Sequence, residues 1–80
     1  MNISITNHAF KRGKQRMGWS IAETIEKTEK EIKEFLHKNP SYATFDDEFN
    51  VSSGLVKWVV VKEDEKEGTN YVVVTIKKRF

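Results

Sequence analysis

The stretch Ser20–Lys38, SIAETIEKTEKEIKEFLHK, decides the fold. It opens with Ser20 and, three residues on, Glu23, the pairing of a capping box: the serine hydroxyl takes an orphan backbone N–H and the glutamate answers from the third helical position. Ile21, Ile25, Thr28, Ile32 and Phe35 then recur every three or four residues, with Leu36 alongside. That period lays them along one side of a helix, and the reading buries Ile21, Ile25, Ile32 and Phe35 against another layer. Glu23, Glu26, Glu29, Lys30, Lys33 and Glu34 occupy the other side, a solvated face. The helix stops before Asn39-Pro40, because a residue preceding proline avoids helical geometry. His37, near that end, where a helix C-terminus favours a cation, reads as structural.

Upstream, Asn2–Thr6 (NISIT) alternates like a short strand, and Thr6 or Asn7 is a good N-cap. A first helix is expected over residues 7–17, with Phe10, Gly13 and Met17 on one face and Gly18 as its left-handed stop. Beyond Pro40 the period changes from helical to alternating. Ser41–Phe45 (SYATF), Phe49–Ser53 (FNVSS), Leu55–Lys62 (LVKWVVVK) and Asn70–Lys78 (NYVVVTIKK) read as strands rich in Val and aromatics. Asp46–Glu48 parts the first two, and residues 63–70 (EDEKEGTN) read as a charged hairpin loop. Two N-terminal helices packed on a twisted antiparallel sheet, one α+β domain over residues 1–80, is the expected architecture.

Alternation assigns faces to the last two strands. Val56, Trp58 and Val60 share one side, with Lys57, Val59 and Val61 on the other. In the final strand Val72, Val74 and Ile76 are expected together, opposite Tyr71, Val73, Thr75, Lys77 and Arg79. One consequence is a polar sheet face gathering Lys57, Thr75, Lys77 and Arg79. Trp19 and Trp58 read as core anchors.

Composition narrows the function classes. Hydrophobic residues form 38% and charged residues 32%, which suits a folded soluble domain. There is no cysteine, hence no disulfide scaffold or thiolate zinc site, and two histidines do not make a structural metal site. No metal and no cofactor is expected. No apolar run approaches a membrane span, and the N-terminus lacks a signal-peptide layout, so the expectation is a cytoplasmic protein without a membrane partner. Net charge is only +2, but the positive residues are unevenly placed: Lys11, Arg12, Lys14 and Arg16 at one end, Lys77, Lys78 and Arg79 at the other. The two clusters are expected on one side of the molecule, binding a polyanion such as RNA.

Thr6–Ser20, TNHAFKRGKQRMGWS, carries the chemistry. His8, Arg12 and Arg16 are four residues apart, a single stripe on a helix. His8 falls in the first turn, where unpaired N–H groups and the helix dipole disfavour a protonated imidazole and leave it a proton acceptor. The two arginines suit a phosphate, whose developing charge they would stabilise. The stripe also reads as a non-catalytic binding surface or as a merely solvated face.

This stretch resembles the N-terminal signature of an uncharacterised family of small bacterial and phage proteins. The match lies in Thr6, His8, Ala9, Arg12, Arg16, Gly18, Trp19 and Ser20, with VVVTIKK and its Thr75 matching the family's last strand. That family is similar to the RelE, colicin D and barnase-like group of metal-independent ribonucleases, many of them toxins. The resemblance implies RNA cleavage through the 2′-hydroxyl, with His8 as general acid or base, Arg12 and Arg16 on the scissile phosphate and Thr75 assisting from the sheet. Lys11, Lys14, Lys57, Lys77 and Arg79 would bind RNA, tRNA or ribosome-bound messenger among the possible substrates. A cognate inhibitor or antitoxin would be the protein partner.

Overall fold

A computed structural model describes residues 2–45 and 47–79. The chain runs β1 (Asn2–Ile5), α1 (Asn7–Met17), α2 (Ile21–Lys38), α3 (Pro40–Phe45), β2 (Glu48–Ser53), β3 (Val56–Glu65) and β4 (Gly68–Lys78). Strand order is β1-β4-β3-β2. β2, β3 and β4 form an antiparallel meander, while β1 joins the edge of β4 in parallel, Ile5 opposite Val73. The architecture is therefore α+β, as expected, but the sheet is mixed rather than antiparallel, and the helices are not confined to the N-terminus. A strand precedes them and a third helix follows.

The helix boundaries follow from local chemistry. The Thr6 hydroxyl accepts from Ala9 N–H at 3.1 Å and caps α1. Gly18, at φ 71°, ends it in the left-handed conformation, its N–H returning to Lys14 C=O. Both arms of the capping box form: Glu23 N–H donates to Ser20 Oγ at 3.1 Å, and Ser20 N–H to Glu23 Oε1 at 3.3 Å.

Ser41–Phe45 belongs to a helical turn instead of a strand. Pro40 sits at the first helical position, where its fixed φ helps and its missing N–H costs nothing. Tyr42 is held there by packing on Phe35 and Phe49, with ring centroids 5.1 and 5.7 Å apart. Tertiary packing outweighs the strand preference of the aromatic residues. Asp46, part of the expected separator, lies outside the described residues. The expected loop over residues 63–70 is mostly strand: β3 and β4 stay paired to Glu65 opposite Gly68, and only Lys66 and Glu67 turn.

The core lies between the sheet and the helices. Trp58, Val60, Tyr71, Val73 and Ile76 face inward, under Ala9 from α1 and Ile32 and Leu36 from α2. Two expectations are corrected here. First, α2 buries Thr24, Thr28, Ile32 and Leu36, whereas Ile21 is 67% and Ile25 39% exposed. The helix is rotated because α1 crosses it closely at a glycine. A Cβ at Gly13 would sit 3.1 Å from Thr24 Oγ1, so small side chains are required where the helices meet. The two buried threonines are satisfied: Thr24 Oγ1 donates to Ser20 C=O at 2.9 Å, and Thr28 Oγ1 accepts from Trp58 Nε1 at 2.9 Å. Second, the faces of β4 change over partway along. Val59 pairs with Thr75 but Val60 with Val73, so Val74 is a bulged extra residue. Tyr71 and Val73 therefore share the buried side with Ile76, and Val72 lies on the other.

Candidate nucleic-acid interface

The bulge that changes the faces of β4 also positions its polar residues. Beyond it, Thr75 lies opposite Val59 and Lys77 directly opposite Lys57, on the sheet face away from the buried side chains. Lys57, Thr75 and Lys77 thus share one face as the sequence suggests, although Tyr71 and Val73 do not accompany them. Two lysines paired across strands repel each other, a mildly destabilising arrangement unless an anion lies between them.

α1 is fastened to β4 beside this group. Thr6 N–H donates to Val73 C=O at 3.1 Å, and the Thr6 hydroxyl donates to Val74 C=O at 3.1 Å. Thr6 hence caps the helix and ties its first turn to the bulge, one residue before Thr75. The helix then runs on past the end of β1, where β4 has no strand neighbour on that side. Arg16 Nη1 donates to Ile76 C=O there at 3.0 Å. Charged side chains on an exposed strand edge block unwanted pairing, and Arg16 does so with a hydrogen bond.

The His8–Arg12–Arg16 stripe is present and runs along this seam. His8 is exposed in the first turn, and its Nε2 accepts from Arg12 Nε–H at 3.5 Å, a long contact that needs an unprotonated Nε2. Arg12 also donates from Nη1 to Gln15 Oε1 at 3.0 Å. At the far end Gln15, Arg16, Lys77 and Lys78 line an open depression of about 530 Å³ with no carboxylate in its lining. The helix stripe and the polar sheet face lie on two sides of β4 and meet at this depression.

The remaining sequence-predicted residues are elsewhere. Arg79 turns back to the β2–β3 turn, its Nη1 donating to Gly54 C=O at 3.2 Å. Lys11 and Lys14 project between α1 and α2, beside Phe10, Trp19, Ser20 and Ile21. The α1 cations are therefore divided, with Arg12 and Arg16 on the β4 side and Lys11 and Lys14 on the α2 side. Gln15 is the lining residue that the sequence does not point to, and Lys78 figures there only within the C-terminal basic cluster. Gln15 is an uncharged neighbour with no pattern to flag it, and Lys78 joins the depression only through the tertiary placement of α1. Trp58 is a core anchor, 2% exposed, and half-buried Trp19 stacks on it with centroids 6.1 Å apart. His37 is exposed in the last turn of α2.

Among the described residues, no group of three His, Asp or Glu side chains is placed to hold a metal ion, and no helix is long and apolar enough to cross a membrane. In comparisons with protein-family models, curated proteins and solved structures, the chain matches none.

Proposed function

We propose that this chain engages RNA along the α1–β4 seam and cleaves it as a small metal-independent endoribonuclease, a toxin-like effector held by a cognate inhibitor. The observation that carries the reading is the meeting of Arg16, Lys77 and Lys78 in one open depression, next to the Lys57–Lys77 pair and in line with His8 and Arg12. Phosphate contacts supply most of the affinity of nucleic-acid binding. The RelE, colicin D and barnase-like assignment rests on the Thr6–Ser20 signature.

In the proposed reaction the RNA 2′-hydroxyl attacks the adjacent phosphorus. His8 Nε2, released from its long contact with Arg12 Nε–H, takes the hydroxyl proton. The P–O5′ bond breaks and the departing 5′-oxygen takes a proton from water, giving a 2′,3′-cyclic phosphate and a 5′-hydroxyl. Arg12 steadies the charge on the phosphoryl oxygens. The Thr75 hydroxyl contributes from the sheet face. Because side chains move the proton and hold the charge, cleavage survives excess EDTA, and DNA, lacking the nucleophile, is untouched.

Induced expression of wild type beside His8→Ala tests this. The wild type is toxic and the variant is not, and the purified variant cleaves roughly 10²–10⁴-fold more slowly. Because His8 is exposed, its melting temperature stays at the wild-type value. Equal cleavage by both proteins removes His8 from the mechanism. A second reading, an RNA-binding module without catalysis, is favoured by one observation: Arg16 Nη1 is committed to Ile76 C=O, which fixes the guanidinium at the strand edge, where its remaining N–H groups can bind a phosphate without following a reacting one. Binding of tRNA and messenger RNA without cleavage of either selects it.

A further inference from the structure

The rotation of α2 that puts Thr24 and Thr28 in the core leaves large aliphatic side chains outside it. Among the described residues the exposed large hydrophobics are Ile21, Ile25 and Leu55. Two of these three lie one turn apart on α2, on the side facing away from the sheet. Ile21 continues into a groove of about 480 Å³ between α1 and α2, walled by Phe10, Trp19 and Ser20. The wall is firm: Trp19 is stacked on buried Trp58, and Lys27 Nζ lies 5.7 Å from its ring centroid. A preorganised aromatic wall costs little further ordering when a partner binds. The two charged residues lining the groove, Lys11 and Lys14, are both cationic.

We infer that this groove is the docking site for an acidic amphipathic helix of a partner protein. A helical partner inserts apolar side chains at i and i+4 into such a groove, and a volume of this size holds one or two of them. Its flanking carboxylates would then face Lys11 and Lys14. The lysines count against a basic partner. The wall of Phe10 and Trp19 would also stack a nucleobase; what favours peptide is the aliphatic surface that continues from the groove over exposed Ile21 and Ile25, which matches a row of apolar side chains and not a base. The inference is independent of the RNA reading, because the groove shares no residue with the α1–β4 seam.

The test uses two amidated peptides of Leu and Ala with Leu at every third or fourth position, one carrying Glu at the flanking positions and the other Lys. Titrations are followed by tryptophan emission and by amide chemical shifts. The Glu peptide is expected to saturate the protein in the micromolar range, moving Lys11, Lys14 and Ile21 amides, and the Lys peptide to bind at least about tenfold more weakly. Ile21→Asp weakens the Glu peptide by a similar factor, and Lys14→Glu, which leaves one cation and one anion in the groove, abolishes the preference between peptides. Lys14→Glu also keeps the test decisive if Ile21→Asp disturbs folding. Four results overturn the inference: no saturable binding, equal binding of the two peptides, an unchanged preference in Lys14→Glu, or displacement of the peptide by a single-stranded RNA oligomer. Sedimentation that shows a dimer abolished by Ile21→Asp assigns the face to a second copy of this chain instead.

Discussion

Thr28 is polar, fully buried, and the partner of the largest fully buried side chain, since its hydroxyl accepts the indole N–H of Trp58. Thr28→Val keeps the shape and removes the acceptor, which leaves that N–H unpaired in the core. The expected loss is about 1–3 kcal/mol, measured by urea unfolding. If stability is unchanged, the hydrogen bond is not what fixes threonine at this position. Tyr71 supplies a second residue-scale prediction. Burial pushes its phenol above the ordinary 10.0, and the Asp64 carboxylate adds to the rise. The unfolded chain therefore releases this proton at lower pH than the folded one. The stabilisation is fully present below pH 10 and declines as pH climbs through the folded value. Tyr71→Phe should flatten that alkaline decline in melts recorded from pH 9 upward, and an identical slope in both proteins would count against it. Neither residue announces this role in the sequence. Thr28 appears there as one member of an apolar stripe, and Tyr71 falls on the wrong face of its strand.

At the scale of elements, what was legible depended on the range of the forces involved. Thr6, Gly18, Ser20 with Glu23, and Asn39-Pro40 act within one turn of their own positions, so the ends of α1 and α2 could be read directly. The rotation of α2 could not, because it depends on how closely Gly13 lets α1 approach Thr24. Nor could the bulge at Val74, which sits in a run of valines with no glycine to mark it. The corrected α2 face makes a sharp comparison. Ile32→Ala, at a fully buried position, should cost about 2–5 kcal/mol, while Ile25→Ala, partly exposed, should cost less than about 1 kcal/mol. Similar losses for both in thermal melts would restore the face suggested by periodicity alone. The candidate site was half legible for the same reason. The four-residue spacing of His8, Arg12 and Arg16 is a local property, but the separation of Lys11 and Lys14 from them depends on what flanks α1 on each side.

On the scale of the whole molecule, a net charge of +2 understates the local field, because the cations are sorted by the fold. Lys57, Lys77, Lys78 and Arg16 gather around one end of β4. RNA affinity should fall steeply between low and high salt. Lys57→Gln with Lys77→Gln should shallow that salt dependence by roughly two phosphate contacts, read as the slope of log affinity against log salt. A slope unchanged by the double substitution would place the phosphate contacts elsewhere. The same pair should be slightly stabilised by the change when RNA is absent, since one like-charge repulsion disappears. The parallel pairing of β1 with β4 has a different consequence, one of timing. Asn2 lies opposite Asn70, and Thr6 holds the carbonyls of Val73 and Val74. β1 thus has no neighbour in this sheet until β4, far later in the chain, has been made. Contacts so distant in sequence slow folding, because a long loop must close before it is rewarded. α1, with its His–Arg stripe, has no sheet to lie against during synthesis, so the site comes into being only once β4 is free to pair.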